Sequence, residues 1–256
     1  MTYTDLIRKR DFCRAYRRLL PPGEIGGYEY AFRTDYTHNS TAIEGNTLTE
    51  AETKLLLEEQ LSVGGRRMRE IFEVTNHAKA YDYARQCVED SKPLCEDIVR
   101  ELHRILMENI LPGGEYRSVS LRVANAGLQP PPPKEMRIQI AEFFEHLSHK
   151  MAPSIELAAW ALAEFARVHP FLDGNGRVSR LIMNYQLMSD GWFPVSIALE
   201  DRERYSGALR VYALDADIKP FAAFVAELEQ KELDWMIEAI MRETWYKGDD
   251  SACRLA

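Results

Sequence analysis

The stretch HPFLDGNGRVSR, residues 169–180, joins two runs of sequence that are apolar almost all round. The run SIELAAWALAEFARV before it and the run LIMNYQLM after it have the composition of helices at the centre of a bundle. Two buried helices would hold the short connection between them rigidly, as a precise site requires. The sequence therefore predicts a functional site mounted between two central helices.

The rest of the chain also repeats its apolar residues mostly at helical intervals, which predicts an all-α protein. Helices are expected over residues 47–61, 66–90, 95–110, 134–150 and 221–245. The first of these has Thr47 three residues before Glu50, the spacing of a capping box. One segment departs from the pattern, because residues 111–133 alternate polar and apolar side chains between glycines and prolines. We predict a short β-hairpin flap there.

Composition excludes several classes of function. The formal net charge of −8 over 256 residues argues against general nucleic-acid binding, which requires a basic face. The N-terminus lacks the apolar core of a signal peptide, and no apolar run reaches the roughly 18 residues of a membrane span. The four cysteines form no C-x-x-C pair. We expect a cytoplasmic protein with neither a nucleic-acid nor a membrane partner.

Five residues of the opening stretch favour phosphate binding. Gly174, Asn175 and Gly176 permit backbone angles that direct successive N–H groups into an anion-binding nest. The nest falls at the predicted start of a helix, where unpaired N–H groups and the dipole attract phosphate further. Arg177 and Arg180, three residues apart, can reach one polyphosphate with forked hydrogen bonds.

Two further residues of the stretch favour chemistry at that phosphate. Asp173 directly precedes the nest, where a carboxylate can hold Mg²⁺ together with phosphate oxygens. His169, at the end of the preceding helix, is a candidate base for an attacking hydroxyl group. Each residue alone is ordinary in a turn or at a helix end, and their combination and order carry the hypothesis.

The stretch resembles the Fic-domain signature H-x-F-x-[D/E]-G-N-G-R-x-x-R, and every specified position matches, from His169 to Arg180. Members of this family typically transfer AMP from ATP to a Ser, Thr or Tyr hydroxyl of a target protein. The resemblance implies that His169 takes the hydroxyl proton and Asp173 binds Mg²⁺. It also implies that Asn175 and its flanking glycines cradle the α- and β-phosphates, and that Arg177 and Arg180 hold the β- and γ-phosphates.

The resemblance extends over roughly residues 40–235. GEYRSVSLRV is similar to the family's flap, whose backbone pairs with the target peptide, and assigns that role to Tyr116, Arg117, Ser118 and Val119. Tyr205 is implied as a lining residue of the adenine pocket. The expected organisation is an N-terminal helical region at 1–62, a Fic-like catalytic core at 63–215 and a C-terminal helical extension at 216–256.

A second motif precedes this core. HNSTAIEGNTLT resembles the inhibitory motif [S/T]-x-x-x-E-[G/N], fitted by Ser40, Glu44 and Gly45. The resemblance implies that Glu44 pairs with Arg180 and occupies the fork that a γ-phosphate needs, so that ATP binds poorly or wrongly aimed. Alternatively, Thr41 and Glu44 form an ordinary capping box, with Glu44 serving only the start of its own helix.

The predicted function is therefore a Mg²⁺- and ATP-dependent protein adenylyltransferase held inactive by Glu44, acting on a target protein or on itself. One alternative is removal of AMP from a modified protein, in which Glu44 would align a water. Another is a non-catalytic nucleotide-binding interaction module, against which the intact His169 argues. Asn76 and His77 are expected to form hydrogen bonds in the core. The stripe of Trp235, Met236 and Ile240 indicates either core packing or a homodimer contact.

Overall fold

The structure is a computed structural model that describes residues 3–59, 61, 63–122, 129–149 and 154–247. Within these ranges all regular elements are helical, which confirms the all-α class. The α-helices are α1 (Tyr3–Tyr16), α2 (Pro22–Ala42), α3 (Glu50–Glu58), α4 (Met68–Glu89), α5 (Glu96–Leu106), α6 (Pro133–His149), α7 (Ser154–Val168), α8 (Asn175–Ser189), α9 (Arg202–Asp215) and α10 (Lys219–Lys247). Short 3-10 turns follow α1 and precede α9.

Helices α7 and α8 lie at the centre, as their composition predicts. One face of α7 packs into an apolar cluster with α1, α9 and α10 through residues such as Ala158 and Leu162. Another face, with Leu157 and Phe165, packs into a second cluster with α4, α5 and α6. Because both helices are enclosed on opposite sides, the connection between them at residues 169–174 is held at both ends by the core.

Several smaller predictions for the core are confirmed. Asn76 donates its side-chain amide to the carbonyls of Leu106 and Glu108. The buried His77 ring contacts the Thr37 hydroxyl at 3.2 Å through Nδ1. In the C-terminal stripe, Met236 and Ile240 are core residues. Trp235 is 41% exposed and stacks on Tyr28 with ring centroids 4.6 Å apart. The cysteines that the structure describes, Cys13, Cys87 and Cys95, are unpaired.

The start of α3 differs from the prediction. The capping box is formed by Thr49 and Glu52, two residues later than the predicted pair Thr47 and Glu50. Thr47 is drawn away because its backbone N–H and its hydroxyl both donate to Glu70 Oε1 on α4. A contact between helices therefore overrides the local spacing.

The predicted β-hairpin flap is not formed by the described part of residues 111–133, and residues 123–128 lie outside the description. The Arg117 guanidinium donates to the carbonyls of His169, Val119 and Pro131, at 2.8, 2.9 and 2.6 Å. These bonds occupy acceptors that a strand ladder would need. The four prolines at 130–133 lack the N–H donors of a strand. The segment is consequently an extended arm pinned by one buried arginine.

None of the helices in the described part of the chain combines the length and apolar character needed to cross a membrane.

Candidate active site

His169 lies at the C-terminal end of α7, in the left-handed backbone region with φ of +51°. Its backbone N–H donates to Phe165, and its ring Nδ1 lies 3.2 Å from the carbonyl of Ala166. A carbonyl only accepts, so Nδ1 carries the proton and Nε2 is left as the acceptor. Burial lowers the pKa of His169 below its ordinary value, although the bond to Ala166 opposes the shift. The imidazole is therefore neutral near pH 7 and able to accept a proton.

The loop after His169 is fixed by Asn175. Its amide Nδ2 donates to the Phe171 carbonyl, and its Oδ1 accepts the Phe171 backbone N–H, both at 2.9 Å. The Asn175 side chain is buried. It therefore shapes the loop, and only its backbone N–H remains directed at the start of α8 for an anion.

His103 on α5 is a second support of the loop, which the sequence reasoning did not assign to the site. Gly114 N–H donates to His103 Nδ1 at 2.8 Å, so the other nitrogen, Nε2, donates to the Asp173 carbonyl at 3.1 Å. The ring stacks on Phe171 with centroids 3.6 Å apart. Burial lowers the pKa of His103 to about 4, which keeps it neutral in this role.

The N-terminus of α8 has the backbone geometry expected of the predicted anion-binding nest. Gly174 has φ of +77°, and its carbonyl accepts the N–H of Val178. The N–H groups of Asn175, Gly176 and Arg177 precede that bond and have no acceptor within their own helix. The backbone geometry therefore offers several N–H donors and the positive end of a helix dipole to an anion.

Two arginines place positive charge beside this nest. The Arg177 and Arg180 side chains are 2% and 1% exposed. Arg177 Nε and Nη1 and Arg180 Nη1 are buried without a hydrogen-bond partner. Burial lowers the pKa of Arg177, but an arginine remains protonated throughout the physiological range. Buried charged donors without partners are costly, and an anionic ligand would satisfy them.

Glu44 supplies an anion at this place in the structure. Arg180 Nη2 donates to Glu44 Oε1 at 2.9 Å, as the inhibitory-motif resemblance implied. A Cβ atom on Gly176 would lie 2.1 Å from the same carboxylate oxygen. Burial acts to lower the pKa of Arg180, but Glu44, Tyr205 and Tyr36 together oppose it and the pKa is raised. The carboxylate thus covers the first turn of α8.

Ser40 binds the same guanidinium from the end of α2. Arg180 Nε donates to Ser40 Oγ at 2.8 Å, and Nη2 donates to the Ser40 carbonyl at 2.6 Å. The N–H of Glu44 bonds to Thr41 instead of continuing the helical pattern to Ser40. Arg180 therefore caps the C-terminus of α2, where the helix dipole also favours a cation.

The alternative reading of Glu44 as a capping-box residue is wrong. Helix α2 ends at Ala42, so Glu44 follows a helix instead of starting one. The Thr41 hydroxyl donates back to the carbonyls of Thr37 and His38. Gly45, with φ of +99°, then turns the chain away from the helix, a backbone conformation that glycine adopts without strain.

Asp173, the predicted metal ligand, lies beside the nest. Its Oδ1 accepts the Gly174 N–H at 2.6 Å, and its Oδ2 accepts Arg69 Nη2 at 2.5 Å. Burial acts to raise the pKa of Asp173, but Arg177, the Gly174 N–H and Arg69 together lower it. The carboxylate is consequently ionised at neutral pH. Sequence reasoning missed Arg69, since no spacing signal links it to a residue so distant in the chain.

The residues predicted for the flap and the adenine pocket differ in burial and in their distance from the loop at residues 169–174. Arg117 is buried and supports the loop through the His169 carbonyl. Tyr116 packs against Phe171 with ring centroids 5.3 Å apart. Ser118 and Val119 are exposed next to it. Tyr205 is buried in the core that includes α9 and α10, and burial raises the pKa of its hydroxyl, although the nearby charge of Arg180 opposes the shift.

The fold and the site define a class: a helical protein that presents a neutral histidine, an anion-binding helix start and two buried arginines at one junction. Residues 93–187 match the Fic/DOC family. The chain therefore contains a Fic domain.

Similar proteins agree with this assignment. The chain is 34% identical over 204 residues to the protein adenylyltransferase Fic of Drosophila willistoni, covering 78% of this chain and 40% of that protein. A Fic-domain-containing signaling protein from Bacteroides thetaiotaomicron has a TM-score of 0.82 at 26% identity, covering 91% of this chain and 98% of the other. Fic-1 from C. elegans gives 0.79 at 28% identity, covering 91% and 70%. This chain thus spans about 40% of the length of the curated relatives it matches.

Proposed function

We propose that this chain is a protein adenylyltransferase, which transfers AMP from ATP to a Ser, Thr or Tyr hydroxyl of a target protein and is held inactive by Glu44. The observation that carries the proposal is the Glu44 carboxylate on Arg180 and over Gly176. An anion already occupies the start of α8, within the same junction as His169. Relatives named protein adenylyltransferase support the reaction class.

The triphosphate of ATP fits the groups at this junction. The unpartnered nitrogens of Arg177 and Arg180 would bind the β- and γ-phosphates with charge-assisted hydrogen bonds. The N–H groups at the start of α8 would bind the α- and β-phosphates, because Gly176 has no side chain to keep them away. Tyr205, whose hydroxyl lies within the electrostatic influence of Arg180, is kept as the proposed neighbour of the adenine.

His169 would act as the base in the transfer. Nε2 accepts the proton of the target hydroxyl as the oxygen attacks the α-phosphorus. The new oxygen–phosphorus bond forms as the bond to the β-phosphate oxygen breaks. AMP is left esterified to the target, and pyrophosphate leaves on the arginines. The exposed Ser118 and Val119, held in place by Tyr116 and the buried Arg117, would meet the target's backbone.

Asp173 would hold Mg²⁺ in this reaction. It is an ionised carboxylate next to the phosphate nest, and Mg²⁺ commonly takes one or two carboxylates together with phosphate oxygens. No cluster of three His, Cys, Asp or Glu suited to a metal occurs in the described ranges. The phosphates would therefore complete the site. The cation would supply charge neutralisation on the phosphate oxygens.

Glu44 would keep the enzyme latent by occupying the guanidinium that the γ-phosphate needs. A carboxylate and a phosphate cannot both use Arg180 Nη2 and the space over Gly176. With the γ-phosphate displaced, the α-phosphorus is not aligned for in-line attack. Residues 63–215 are the proposed catalytic core, and the region before them supplies the block.

The test compares AMP transfer from ATP labelled on the α-phosphorus, with Mg²⁺, onto the protein itself and onto cell lysate. We expect Glu44→Gly to raise incorporation at least about tenfold, because one charged hydrogen bond to Arg180 is removed. Adding His169→Ala should reduce it by about 100-fold or more, because the base is lost. His149→Ala, at an exposed histidine on α6, is the matched control and should have no effect.

Label on the γ-phosphorus separates AMP transfer from phosphate transfer. Incorporation of γ-label in place of α-label would contradict the proposal. If no variant transfers α-label, an AMP-modified protein should be offered instead. Loss of AMP from it that depends on Glu44 would identify the enzyme as a de-AMPylase.

A further inference from the structure

Arg69, in the first turn of α4, joins two carboxylates at the edge of the site. Its Nη2 donates to Asp173 Oδ2 at 2.5 Å and its Nε donates to Glu73 Oε1 at 3.0 Å. The second oxygen of Asp173 accepts the Gly174 N–H and lies 3.6 Å from Arg177 Nη2. Both oxygens of the proposed metal ligand are therefore already bound by groups of the chain.

Glu73 continues this contact to the segment that carries Glu44. Its second oxygen, Oε2, accepts the amide Nδ2 of Asn46 at 3.0 Å. Asn46 lies two residues after Glu44, and Nδ2 also donates to the Glu70 carbonyl. Asp173, Arg69, Glu73 and Asn46 thus form a continuous chain of polar contacts. It runs from the proposed cation site to the segment at residues 43–49, which we call the inhibitory turn.

The residues of this row of polar contacts differ in how easily their side chains can move. The Arg69 side chain is 55% exposed, whereas that of Glu73 is 15% exposed. Arg69 can consequently change partners within solvent, while the mostly buried Glu73 side chain stays in place on α4. An arginine released from Asp173 would retain Glu73 as its partner, and a two-pronged bond to one carboxylate is its preferred geometry.

We propose that Arg69 competes with the divalent cation for Asp173 and that, once displaced, it takes Glu73 from Asn46 and loosens the inhibitory turn. The inference rests on the proposed function in taking Asp173 as the ligand of the cation. A dication and a guanidinium repel each other, and they cannot share the same carboxylate oxygen. Binding of the cation and release of Glu44 are therefore linked, and each favours the other.

The first test measures binding of α,β-methylene-ATP, an analogue that cannot release AMP, with Mn²⁺ and with excess chelator. The Kd with chelator divided by the Kd with Mn²⁺ reports how much the cation strengthens binding of the analogue. Arg69→Met should raise that ratio by about two- to fivefold, the range expected for a partly exposed ion pair. Arg67→Met removes the same charge from an exposed neighbour and is the control. Equal ratios for the two variants would overturn the competition.

The second test is a double-mutant cycle on the same ratio. Asn46→Ala frees Glu73 to hold Arg69, so it should raise the ratio in the wild-type background. It should change nothing in Arg69→Met, where no arginine is left to transfer. The same effect in both backgrounds would mean that the inhibitory turn is not coupled to the cation through Arg69, and the second half of the proposal would be wrong.

These measurements stand apart from AMP transfer. If Arg69→Met raises the cation-dependent ratio while no variant transfers α-label, the competition holds and the proposed reaction fails. If Glu44→Gly transfers α-label and the ratio is unchanged by Arg69→Met, the reaction stands and the competition is refuted.

Discussion

The loop at residues 169–174 and the inhibitory turn at residues 43–49 both contact the start of α8, but they are held in different ways. The loop is bound by the buried side chains of His103, Arg117 and Asn175, which donate to or accept from its backbone. The turn reaches the site through Glu44, whose side chain is 42% exposed. The loop is therefore part of the core, whereas the turn is a cover that reaches the start of α8 through one partly exposed side chain.

Under the proposed function, this difference would keep the geometry of the catalytic loop independent of its inhibition by Glu44. Backbone groups held by buried side chains keep one arrangement, because any other would leave polar atoms unpaired away from water. The partly exposed Glu44 carboxylate can be hydrated when it leaves, whereas the buried Arg180 then needs another anion in its place. Under the proposed function, a phosphate at Arg180 would therefore compete with Glu44 without disturbing the loop that positions His169.

The largest effect on the loop is expected from a change at Asn175. Asn175→Ala leaves the Phe171 N–H and carbonyl unpaired in the interior, so the free energy of unfolding should fall by about 2–4 kcal/mol. In the Glu44→Gly background, AMP transfer should fall by about 100-fold, since the loop loses its geometry. Urea denaturation and α-label incorporation measure the two effects.

Asn184→Ala is the matched control for that variant. Asn184 lies further along α8 and makes the same pair of buried backbone bonds, to Val195, at 3.0 and 2.9 Å. It should lose similar stability while its transfer per folded molecule stays near that of Glu44→Gly. Equal losses of transfer in the two variants would show that the loop has no special dependence on Asn175.

The support that His103 gives to the loop should make the free energy of unfolding fall at acidic pH. Its pKa is lowered from 6.5 to about 4 in the folded protein, so between these values the unfolded chain binds the extra proton. The contribution to stability is fully present above pH 6.5 and is lost as the pH falls, by up to about 3 kcal/mol at pH 4. His103→Gln should flatten the stability curve in this window, as followed by urea denaturation. Parallel curves for the two proteins would contradict the assignment.

The sequence predicted the parts of this site that are local. The signature from His169 to Arg180 identified the loop, the nest and both arginines, because twelve consecutive residues carry them together. The pair of Glu44 and Arg180 joins residues 136 positions apart and was reached only through the resemblance of a second motif. The apolar runs on either side likewise predicted the central position of α7 and α8.

The supports of the loop could not be predicted in the same way. His103 lies 70 residues from Asp173, and Arg69 lies 104 residues from it. A single histidine or arginine in a helix carries no spacing signal for so distant a partner. The flap was mispredicted because alternation around Tyr116 and Val119 resembles a strand, whereas the three carbonyl bonds of Arg117 decide the conformation.

A substitution at Gly176 tests whether the Glu44 carboxylate and the proposed phosphate use the same space. A methyl group there would lie 2.1 Å from Glu44 Oε1 and would displace that carboxylate, a flexible side-chain end. If phosphate needs the same space, Gly176→Ala should lose the Glu44 contact without gaining activity. In the Glu44→Gly background it should lower α-label incorporation about tenfold through weaker ATP binding. Incorporation rising to the level of Glu44→Gly would show that phosphate lies elsewhere.

The smallest effect is expected at Ser40, which binds Arg180 beside Glu44. Ser40→Ala removes the hydroxyl that accepts from Arg180 Nε, while the Ser40 carbonyl and Glu44 still bind Nη2. We expect α-label incorporation to rise about threefold, less than in Glu44→Gly, because a hydroxyl holds the guanidinium less strongly than a carboxylate does. Thr41→Ala, whose hydroxyl bonds only within α2, is the control. An increase as large as that of Glu44→Gly would mean that the end of α2, and not the carboxylate, is the main obstacle to ATP.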